Sequence, residues 1–550
     1  MPEMMPSNLS QQEIDRLVQE AVTALQKGDL KGARSVAEKG RTAGVEHAFL
    51  LKVEALWLHD QGRYQDALRT FHHARTLTPG DPSILNGIAG CLAGMGEKDA
   101  ALKIIDESLK LMPDASPTHY LRGWILDMAS DSRAAQQSYE RAIALSPKHV
   151  QALAGLASVA LQLGDFAAAR SRATQALALD PSQPTAIIAL AKVEIEQGDA
   201  PAAESRIRRL LETNQSHQVC TFAWGVLGDA LDAQDRKKEA FAAWQEKAEV
   251  LRRRHAAPIA EAPKAADVLA PIATHLESMP ADIWRGGEAR GVDKGMPRTH
   301  VFVLGFLRSG TTLLEQVLAA HSDVVSLEER GSLKTLAAEF MASPSGLDRL
   351  ATLGRAEVDE TRAAYWQQVR ELGIEPDGRV VVDKDPLNTI NLPLIARLFP
   401  EAKVLFAVRD PRDVVFSCYR HSIEIVSSKY EFLTLEGCAN FYAAVMNMAN
   451  ICRAKLPLVL QEHRYEDMVE NFEGRMRAVC EFLGIAWTED MLNFSEKSRT
   501  QAIRATLSAN QVRRPLYREG IGAWRRYAEQ LAPAMPVLMP WVRMFGYTER

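Results

Sequence analysis

The stretch GDFAAARSRATQALALDP, residues 164–181, contains the three positions that decide the fold of the first half of this chain. It opens with a glycine, has Ala169 five residues later and ends with Pro181. All three residue types recur at steps of 34 residues along the chain. The recurring positions are Ala33, Ala67, Ala101, Ala135, Ala169 and Ala203; Gly28, Gly62, Gly96, Gly164 and Gly198, with Ser130 in the remaining place; and Pro79, Pro113, Pro147 and Pro181.

One helical hairpin in every 34 residues explains the three series. Small and apolar residues between these positions follow helical spacing. Glycine marks the turn between two helices, where a positive φ is easiest for it. Alanine lies where the helices cross, and proline ends the second helix or begins the next one. Because one hairpin cannot bury its apolar face alone, neighbours are expected to stack into a superhelix. An ordinary helical bundle with accidental regularity is the alternative.

The period resembles that of tetratricopeptide repeats. The first unit starts near Gln11, five more follow in strict register, and a seventh is offset by three residues. The residues of the seventh unit that match the repeat are Trp224, Leu227, Gly228 and Ala240. The resemblance implies an array over residues 10–254 that holds a protein partner in its groove. It does not specify which partner, because a repeat is a scaffold.

Composition and charge limit the class of protein. The chain has 550 residues, of which 47% are hydrophobic and 25% charged, which excludes wholesale disorder. A net charge of −5 argues against a nucleic-acid partner. Six cysteines without a C-x-x-C pair indicate reduced thiols. The polar start MPEMMPSNLSQQEID has no apolar signal region, and no run is long enough for a membrane span. We therefore expect a soluble, cytoplasmic protein.

The second half has a different texture. Residues 255–295 mix Pro, Gly and Ala with short helical stretches and are predicted to form a connector with one or two helices. In residues 296–550, the strand-type runs HVFVLGF, RVVVDKDP and AKVLFAVRDP alternate with the helical runs GTTLLEQVLAAH, NLPLIARLF and DVVFSCYRH. This alternation predicts an α/β domain with a parallel sheet. Ligands of such sheets bind at the carboxyl ends of the strands, where the polar turns lie.

The turn GFLRSGTT, residues 305–312, leaves a strand and opens a helix. Outward-pointing amides and the helix dipole make it a cradle for an anion, to which Arg308 and the hydroxyls of Thr311 and Thr312 add donors. It almost fits the P-loop pattern G-x-x-x-x-G-K-[ST], but Thr311 occupies the lysine position. This departure, together with the lack of a clear metal-binding acid on a neighbouring strand, disfavours ATP–Mg²⁺ chemistry. A purely structural glycine turn is the alternative.

A second polar turn, VRDPRD at residues 408–413, follows another strand. Arg409 and Ser417, eight residues apart, have the chemistry to grip one phosphate from two sides. The alternative is that Arg409 pairs with Asp410 or Asp413 at the start of the helix.

The two turns together resemble the PAPS-dependent sulfotransferases, and most closely the tyrosylprotein sulfotransferase type. The resemblance covers roughly residues 299–530. The further matching elements are His321-Ser322-Asp323, Leu327-Glu328-Glu329, Lys384-Asp385-Pro386, and Ser508 to Pro515 with Trp524.

The resemblance implies a role for each matching residue. The phosphate loop, Arg308, Ser309, Gly310, Thr311 and Thr312, would hold the 5′-phosphosulfate of PAPS, and Arg409 with Ser417 its 3′-phosphate. The other nucleotide contacts implied are Tyr465, Ser508 and the late arginines Arg518 and Arg525. A core tyrosine and a solvated basic helix face are the alternatives for Tyr465 and the arginines. The chain departs from the family where His421, beside Arg420, replaces an arginine and Ala523 replaces a lysine.

Sulfuryl transfer needs a base for the acceptor hydroxyl and a cation for the departing oxygen. By resemblance these are Glu329 and Lys384, and no metal is required. Glu328 beside Glu329 could raise the pKa of that base by like-charge repulsion. His321 is the rival base, and a histidine satisfied at a helix end is the alternative for it.

Three functions follow from these patterns. The first is a sulfotransferase whose repeat array recruits its acceptor, which could be a peptide tyrosine, a sugar or a small hydroxyl compound. The second is a protein-binding scaffold whose C-terminal domain binds a nucleotide without catalysis. The third is an ATP-dependent kinase of related fold, which the threonine in the lysine position disfavours.

Overall fold

The computed structural model describes residues 9–214, 216–284, 295–421, 427–495, 518 and 520–549, with backbone only for residues 427–429. The chain divides into two compact units, Met1–Val193 and Glu194–Arg550. The second unit therefore contains the end of the repeat helices as well as the α/β part.

The described part of residues 11–254 consists of paired helices joined by short turns. Their bounds are α1 Gln11–Gln26, α2 Leu30–Thr42, α3 Ala48–Asp60, α4 Tyr64–Leu77, α5 Pro82–Gly94, α6 Lys98–Leu111, α7 Ser116–Met128, α8 Ser132–Leu145, α9 Val150–Gln162, α10 Phe166–Leu179, α11 Pro184–Glu196, α12 Ala200–Thr213, α13 His217–Ala233 and α14 Lys237–Arg254. The predicted run of helical hairpins is confirmed.

Each recurring position has the local structure that its residue type predicts. The five glycines of the series have φ values between 72° and 85°, and Ser130 takes the same left-handed conformation at 67°. The six alanines are fully buried. Each proline follows the last residue of a helix by two positions, as Pro79 follows Leu77. In four of the units an aspartate after the turn caps the second helix; Asp165, for example, accepts from the amide of Ala168.

Two helices follow the array, α15 Ala256–Glu261 and α16 Ala265–Ser278, and then a short 3₁₀ helix, Ala281–Trp284. They are tied to the α/β part by hydrogen bonds. The amide of Ala265 donates to Glu431 Oε1 at 2.7 Å, and Lys455 Nζ donates to the carbonyl of Met279 at 2.7 Å. This segment is thus packed structure within the second unit.

The α/β part is built on a five-stranded parallel sheet in the order β2-β3-β1-β4-β5. The strands are β1 Thr299–Gly305, β2 Val324–Ser326, β3 Val380–Lys384, β4 Lys403–Val408 and β5 Val459–Arg464. The helices are α17 Thr311–Ala319, α18 Lys334–Phe340, α19 Pro344–Thr352, α20 Arg355–Glu371, α21 Leu392–Leu398, α22 Pro411–His421, α23 Leu435–Lys455, α24 Tyr465–Glu470, α25 Phe472–Leu483, α26 Glu489–Leu492, α27 Ala528–Leu531 and α28 Met535–Met544. Short 3₁₀ helices cover Pro386–Asn391, Ser427–Leu433, Ala523–Tyr527 and Ala532–Ala534. The predicted parallel sheet is confirmed.

Helices cover the sheet, as a parallel sheet requires. One apolar cluster joins β1 and β3 to α17 and α25, through residues such as Val303, Val317 and Val479. A second cluster is aromatic and surrounds Phe302 of β1, with Trp366 of α20 and Phe399 among its members. These layers hold the strand ends in fixed positions.

The last helical pair of the array packs on α22 within the second unit. The Arg420 guanidinium donates to Asp229 and Asp232, each at 2.9 Å, and lies over the ring of Trp244. Lys247 Nζ donates to the carbonyl of Arg420 at 2.6 Å. The last repeat therefore fixes the carboxyl end of α22, the helix that carries Ser417.

All six cysteines are free, and five of them are buried. None of the helices in the described ranges combines the length and the hydropathy that a membrane crossing needs.

Candidate active site

The carboxyl ends of the five strands converge on one edge of the sheet, and each is followed by a residue that the sequence singled out. The phosphate loop follows β1, and the segment with Glu329 follows β2. The other three are Lys384 at the end of β3, Arg409 after β4 and Tyr465 after β5. Such an edge is where a parallel sheet binds its ligands.

Glycine is required at both ends of the phosphate loop. At Gly305 a Cβ would lie 2.5 Å from the carbonyl oxygen of Ala407 on the neighbouring strand. Gly310 has a φ of 93°, and a Cβ there would lie 2.6 Å from the ring of Tyr465. The Thr389 hydroxyl fixes the start of the loop, because it donates to the carbonyl of Gly305 at 2.7 Å and accepts from its amide at 2.9 Å. Helix α17 begins directly after Gly310, so its amino terminus faces this loop.

The two predicted phosphate-binding groups are brought together. Arg308 Nε donates to Ser417 Oγ at 2.9 Å, and Arg409 Nη1 donates to the carbonyl of Arg308 at 3.0 Å. Arg409 also donates to the carbonyl of Gly520 and lies over the ring of Tyr465, 4.6 Å from its centroid. Its Nε is buried with no hydrogen-bond partner among the described residues. A donor left in this state fits an anion that enters from the open edge.

The two aspartates beside Arg409 have other partners in the described structure. Asp410 forms a bidentate pair with Arg412, at 2.7 and 2.9 Å. Asp413 accepts from the amides of Gly522 and Trp524, at 2.7 and 2.8 Å, and burial raises its pKa to about 6. These contacts tie α22 to the segment that begins at Gly520 and leave Arg409 directed at the loop.

Lys384 is held between two carboxylates. Its Nζ lies 2.6 Å from Glu329 Oε1 and 3.2 Å from Glu315 Oε2. Side-chain exposure is 0% for Lys384, 2% for Glu315 and 33% for Glu329. Burial lowers the pKa of Lys384, but the two carboxylates outweigh it, so the pKa is raised and the lysine is an ammonium. Burial raises the pKa of Glu315 to about 7, against the opposing effect of Lys384.

A buried polar network on the opposite face of β3 supports the Lys384–Glu329 pair. Asp383, whose side chain points to the other face of β3, accepts from the Tyr365 hydroxyl at 2.8 Å and from Ser332. Tyr365 in turn contacts His300 Nε2 at 3.1 Å. Ser332 lies three residues after Glu329, so the network holds the segment that carries the predicted base. Burial raises the pKa of Asp383 to about 6 and lowers that of His300 to about 3.

His321 lies away from this group. It follows α17 at the end opposite the phosphate loop, and a helix of nine residues is about 14 Å long. Its Nδ1 accepts from the amide of Asp323 at 3.0 Å, just before β2 begins. The structure therefore brings Glu329, and not His321, next to Lys384.

The remaining predicted nucleotide contacts are less well placed. Ser508 lies outside the described residues. Arg518 and Arg525 are both exposed, and Arg525 lies over the ring of Trp524. His421, which stands where the family has an arginine, is half-buried and contacts the carbonyl of Ser417 through Nδ1 at 2.9 Å. Burial lowers the pKa of His421 well below its ordinary value, so it is neutral.

Sequence reasoning missed Glu315. The signal was the position of a glutamate among the apolar residues Leu314, Val317 and Leu318 of a helix that follows a buried strand, because a buried glutamate requires a charged or hydrogen-bonded partner. What the sequence did not reveal is that this partner is Lys384, at the end of strand β3 and 69 residues later in the chain.

Comparison with known proteins agrees with this architecture. The model of the Sulfotransferase family matches residues 300–489. Models of the tetratricopeptide repeat match residues 58–125, 120–184 and 160–219. The predicted fusion of the two kinds of domain is thus confirmed.

Three relatives show how far the similarity extends. An uncharacterized protein of Aquifex aeolicus is 28% identical over 44% of this chain, and the match spans a third (33%) of that protein's length. Protein-tyrosine sulfotransferase 1 of Danio rerio is 28% identical over 46% of this chain and 73% of its own length. Protein-tyrosine sulfotransferase A of Caenorhabditis elegans is 26% identical over 46% of this chain and 69% of its own. The sulfotransferase-family domain of this chain therefore resembles the protein-tyrosine type.

Proposed function

We propose that this chain, in which tetratricopeptide repeats precede a sulfotransferase-family domain, transfers a sulfuryl group from PAPS to an acceptor hydroxyl. The observation that carries the proposal is the arrangement at the sheet edge. A cluster of hydrogen-bond donors suited to phosphate surrounds Arg308 and Arg409. It shares one edge of the sheet with the buried Lys384, which is paired to the partly exposed Glu329.

The donor cluster supplies what a nucleotide with phosphates at both ends needs. The phosphate loop at the amino terminus of α17 would bind the 5′-phosphosulfate. The 3′-phosphate would be bound by Arg409, Ser417 and the hydroxyl of Tyr465. The unpartnered Nε of Arg409 would be one of the donors. The 3′-phosphate is what distinguishes PAPS from ATP, and the threonine in the lysine position points the same way.

In the proposed chemistry, Glu329 acts as the base and the Lys384 ammonium as the stabilising cation. Glu329 takes the proton of the acceptor hydroxyl as the new O–S bond forms. The S–O bond to the 5′-phosphate breaks, and its electron pair stays on the phosphate oxygen of PAP. The Lys384 ammonium stabilises the charge that develops on that oxygen. No electron donor or acceptor other than PAPS and the hydroxyl is needed.

The acceptor is proposed to be a protein tyrosine, because relatives named protein-tyrosine sulfotransferase align with this domain. A sugar and a small hydroxyl compound are the other acceptors that the same pair could serve. We propose that the repeat array recruits the acceptor or a partner protein, since stacked repeats present extended binding surfaces.

A nucleotide-binding scaffold without catalysis is the competing function. A scaffold would need the donor cluster, but nucleotide binding alone does not account for a buried lysine paired with a partly exposed glutamate, since a buried ion pair is a weak source of stability. The Lys384–Glu329 contact therefore favours a transferase.

Two experiments test the proposal. Thermal-shift titrations with PAP, ATP and ADP compare ligands directly, because a ligand stabilises the folded state in proportion to RT ln(1 + [L]/Kd). We expect the largest shift with PAP, and a larger shift with ATP would eliminate the proposal. Incubation with ³⁵S-labelled PAPS and a lysate of the source cells then tests transfer. We expect label on an acceptor with wild-type protein and none with Glu329→Gln. Tight PAP binding without any labelled acceptor would favour the scaffold.

A further inference from the structure

The second carboxylate at Lys384, that of Glu315, has no place in the chemistry described so far. It is 2% exposed, and both of its carboxylate oxygens already have partners within the protein. Its Oε2 lies 3.2 Å from Lys384 Nζ, and its Oε1 accepts from the hydroxyl of Ser326. Glu315 is thus fixed at both oxygens, by one side chain from β3 and one from β2.

The three donors of an ammonium group explain why two carboxylates are useful here. The Lys384 ammonium can donate three hydrogen bonds and cannot accept any. Glu329 and Glu315 together fix the rotation of the ammonium, and the third N–H is then available for the departing phosphate oxygen. With Glu329 alone, the ammonium could rotate about that contact.

The charges change during the transfer proposed above. When Glu329 takes the acceptor's proton it becomes neutral, and its attraction for Lys384 weakens at the moment when the S–O bond breaks. Glu315 is not assigned a proton transfer with the substrate, because its two oxygens are occupied by Ser326 and Lys384. It is therefore the partner that still holds Lys384 in place and in its charged form.

We propose that Glu315 is a positioning residue for sulfuryl transfer, which holds the Lys384 ammonium toward the departing oxygen while Glu329 acts as the base. The inference rests on the proposed function. It adds a residue that acts on the reaction through Lys384.

The groups that face Glu315 define how its role depends on pH. They are Lys384 from β3, Ser326 from β2, and the carboxylate of Glu328 from the segment after β2, while Glu329 shares Lys384 with it. Burial raises the pKa of Glu315, so its charge is partly lost below neutral pH. At acidic pH, the wild-type protein should then approach the behaviour of a variant that carries a neutral amide there.

The test is Glu315→Gln, which keeps the shape of the side chain and an oxygen acceptor but removes the charge. PAP affinity is measured by calorimetry, and transfer by the rate at which label moves from ³⁵S-PAPS to the lysate. We expect transfer at pH 8 to fall about tenfold or more, while PAP affinity changes less than about threefold. The ratio of wild-type to variant rate should be smaller at pH 6 than at pH 8.

A matched control separates this role from the loss of a buried ion pair. Glu194 is 6% exposed and pairs with Arg206 at 2.7 Å, in the same compact unit and outside the site. Glu194→Gln should lower thermal stability and leave the transfer rate unchanged. If Glu315→Gln does not fold, Ser326→Ala replaces it. This change removes the hydrogen bond to the other oxygen of Glu315, together with the bond that the Ser326 hydroxyl accepts from the amide of Glu328 at 3.1 Å. We then expect a rate about threefold lower with unchanged PAP affinity.

Three results would overturn the inference. The first is a wild-type rate at pH 8 for Glu315→Gln, or for Ser326→Ala where that variant takes its place. The second is a loss of PAP affinity that matches the loss of rate, which would indicate a structural role. The third is a wild-type protein that binds PAP but transfers no label, and this result alone would also remove the proposed function.

Discussion

At the level of single residues, burial sets the charge of Glu315, the enclosed carboxyl group next to Lys384. It raises the pKa of Glu315 from an ordinary 4.5 to about 7, so the folded protein holds this proton more tightly than the unfolded chain. The stability that this group contributes is present below pH 4.5 and is lost as the pH rises through 7. We expect Glu315→Gln to abolish this loss of folding stability with rising pH, which amounts to at most about 3 kcal/mol.

The measurement is urea unfolding of both proteins between pH 4.5 and 8. Asp383, Asp413, His300 and His463 also have shifted pKa values, but they are common to both proteins, and the difference between the two curves isolates Glu315. A difference that stays constant with pH, or that grows in favour of the wild type as the pH rises, would contradict the assignment.

Ser130 is the one residue of the glycine series that is not glycine. Its φ of 67° is unfavourable for a residue with a Cβ, whereas glycine adopts it readily. We expect Ser130→Gly to raise the free energy of unfolding by about 0.5 to 1 kcal/mol. The check is the urea midpoint, with Gly164→Ser, which puts serine into the same turn of the next unit, as the opposite control. A lower urea midpoint for Ser130→Gly would show that the positive φ at this turn does not favour glycine over serine.

At the scale of elements, the alanine series sets how closely two helices approach. Ala101 of α6 is fully buried, so a larger side chain must displace its neighbours. We expect Ala101→Leu to destabilise the protein by about 2 kcal/mol. Lys103→Leu, on the exposed side of the same helix, should change stability by less than about 0.5 kcal/mol. Equal urea midpoints for the two variants would refute a close crossing at Ala101.

The repeat helices and the long strands could be predicted because their signals are local. A glycine that needs a positive φ, an alanine at a crossing and a proline after a helix each reflect a few neighbouring residues, and all three series are confirmed. The runs around Val303, Val382 and Leu405 were recognised as strands because they are short, apolar and followed by polar turns. Strand β2 has only three residues, Val324–Ser326, and this is too short for a periodic signal.

The tertiary contacts of the site could not be read in this way. The resemblance proposed roles for Glu329 and Lys384, but the third member, Glu315, becomes visible only when β3 lies beside α17. The packing of the last repeat against α22 depends on Arg420 and on Asp229, residues nearly two hundred positions apart along the chain. Such contacts depend on the whole fold and leave no spacing in the sequence.

At the scale of the whole molecule, the repeat helices end at Arg254, but the second compact unit begins at Glu194. Arg420, Trp244 and Lys247 join the last repeat to the helix that carries Ser417. We therefore expect a fragment of residues 194–550 to bind PAP with an affinity within about threefold of the full chain. A fragment of residues 255–550 should lose stability and PAP binding, because the half-buried Arg420 loses its carboxylate partners.

Thermal-shift titration with PAP compares the two fragments with the full chain. Arg420→Ala in the full chain serves as the internal control, since it breaks the same contacts without truncation and should weaken PAP binding in the same direction. Full PAP affinity in the 255–550 fragment would show that the last repeat does not support the site.

We propose that two groups of hydrogen-bond donors, around Arg308 and around Arg409, hold the two ends of one nucleotide. The most direct measurement is a calorimetric cycle with PAP and with adenosine 5′-phosphate, which lacks the 3′-phosphate, on the wild type and on Arg409→Ala. We predict that the wild type prefers PAP by about a hundredfold and that Arg409→Ala loses most of this preference while its affinity for adenosine 5′-phosphate is little changed. Equal affinity of the wild type for the two nucleotides would contradict the account.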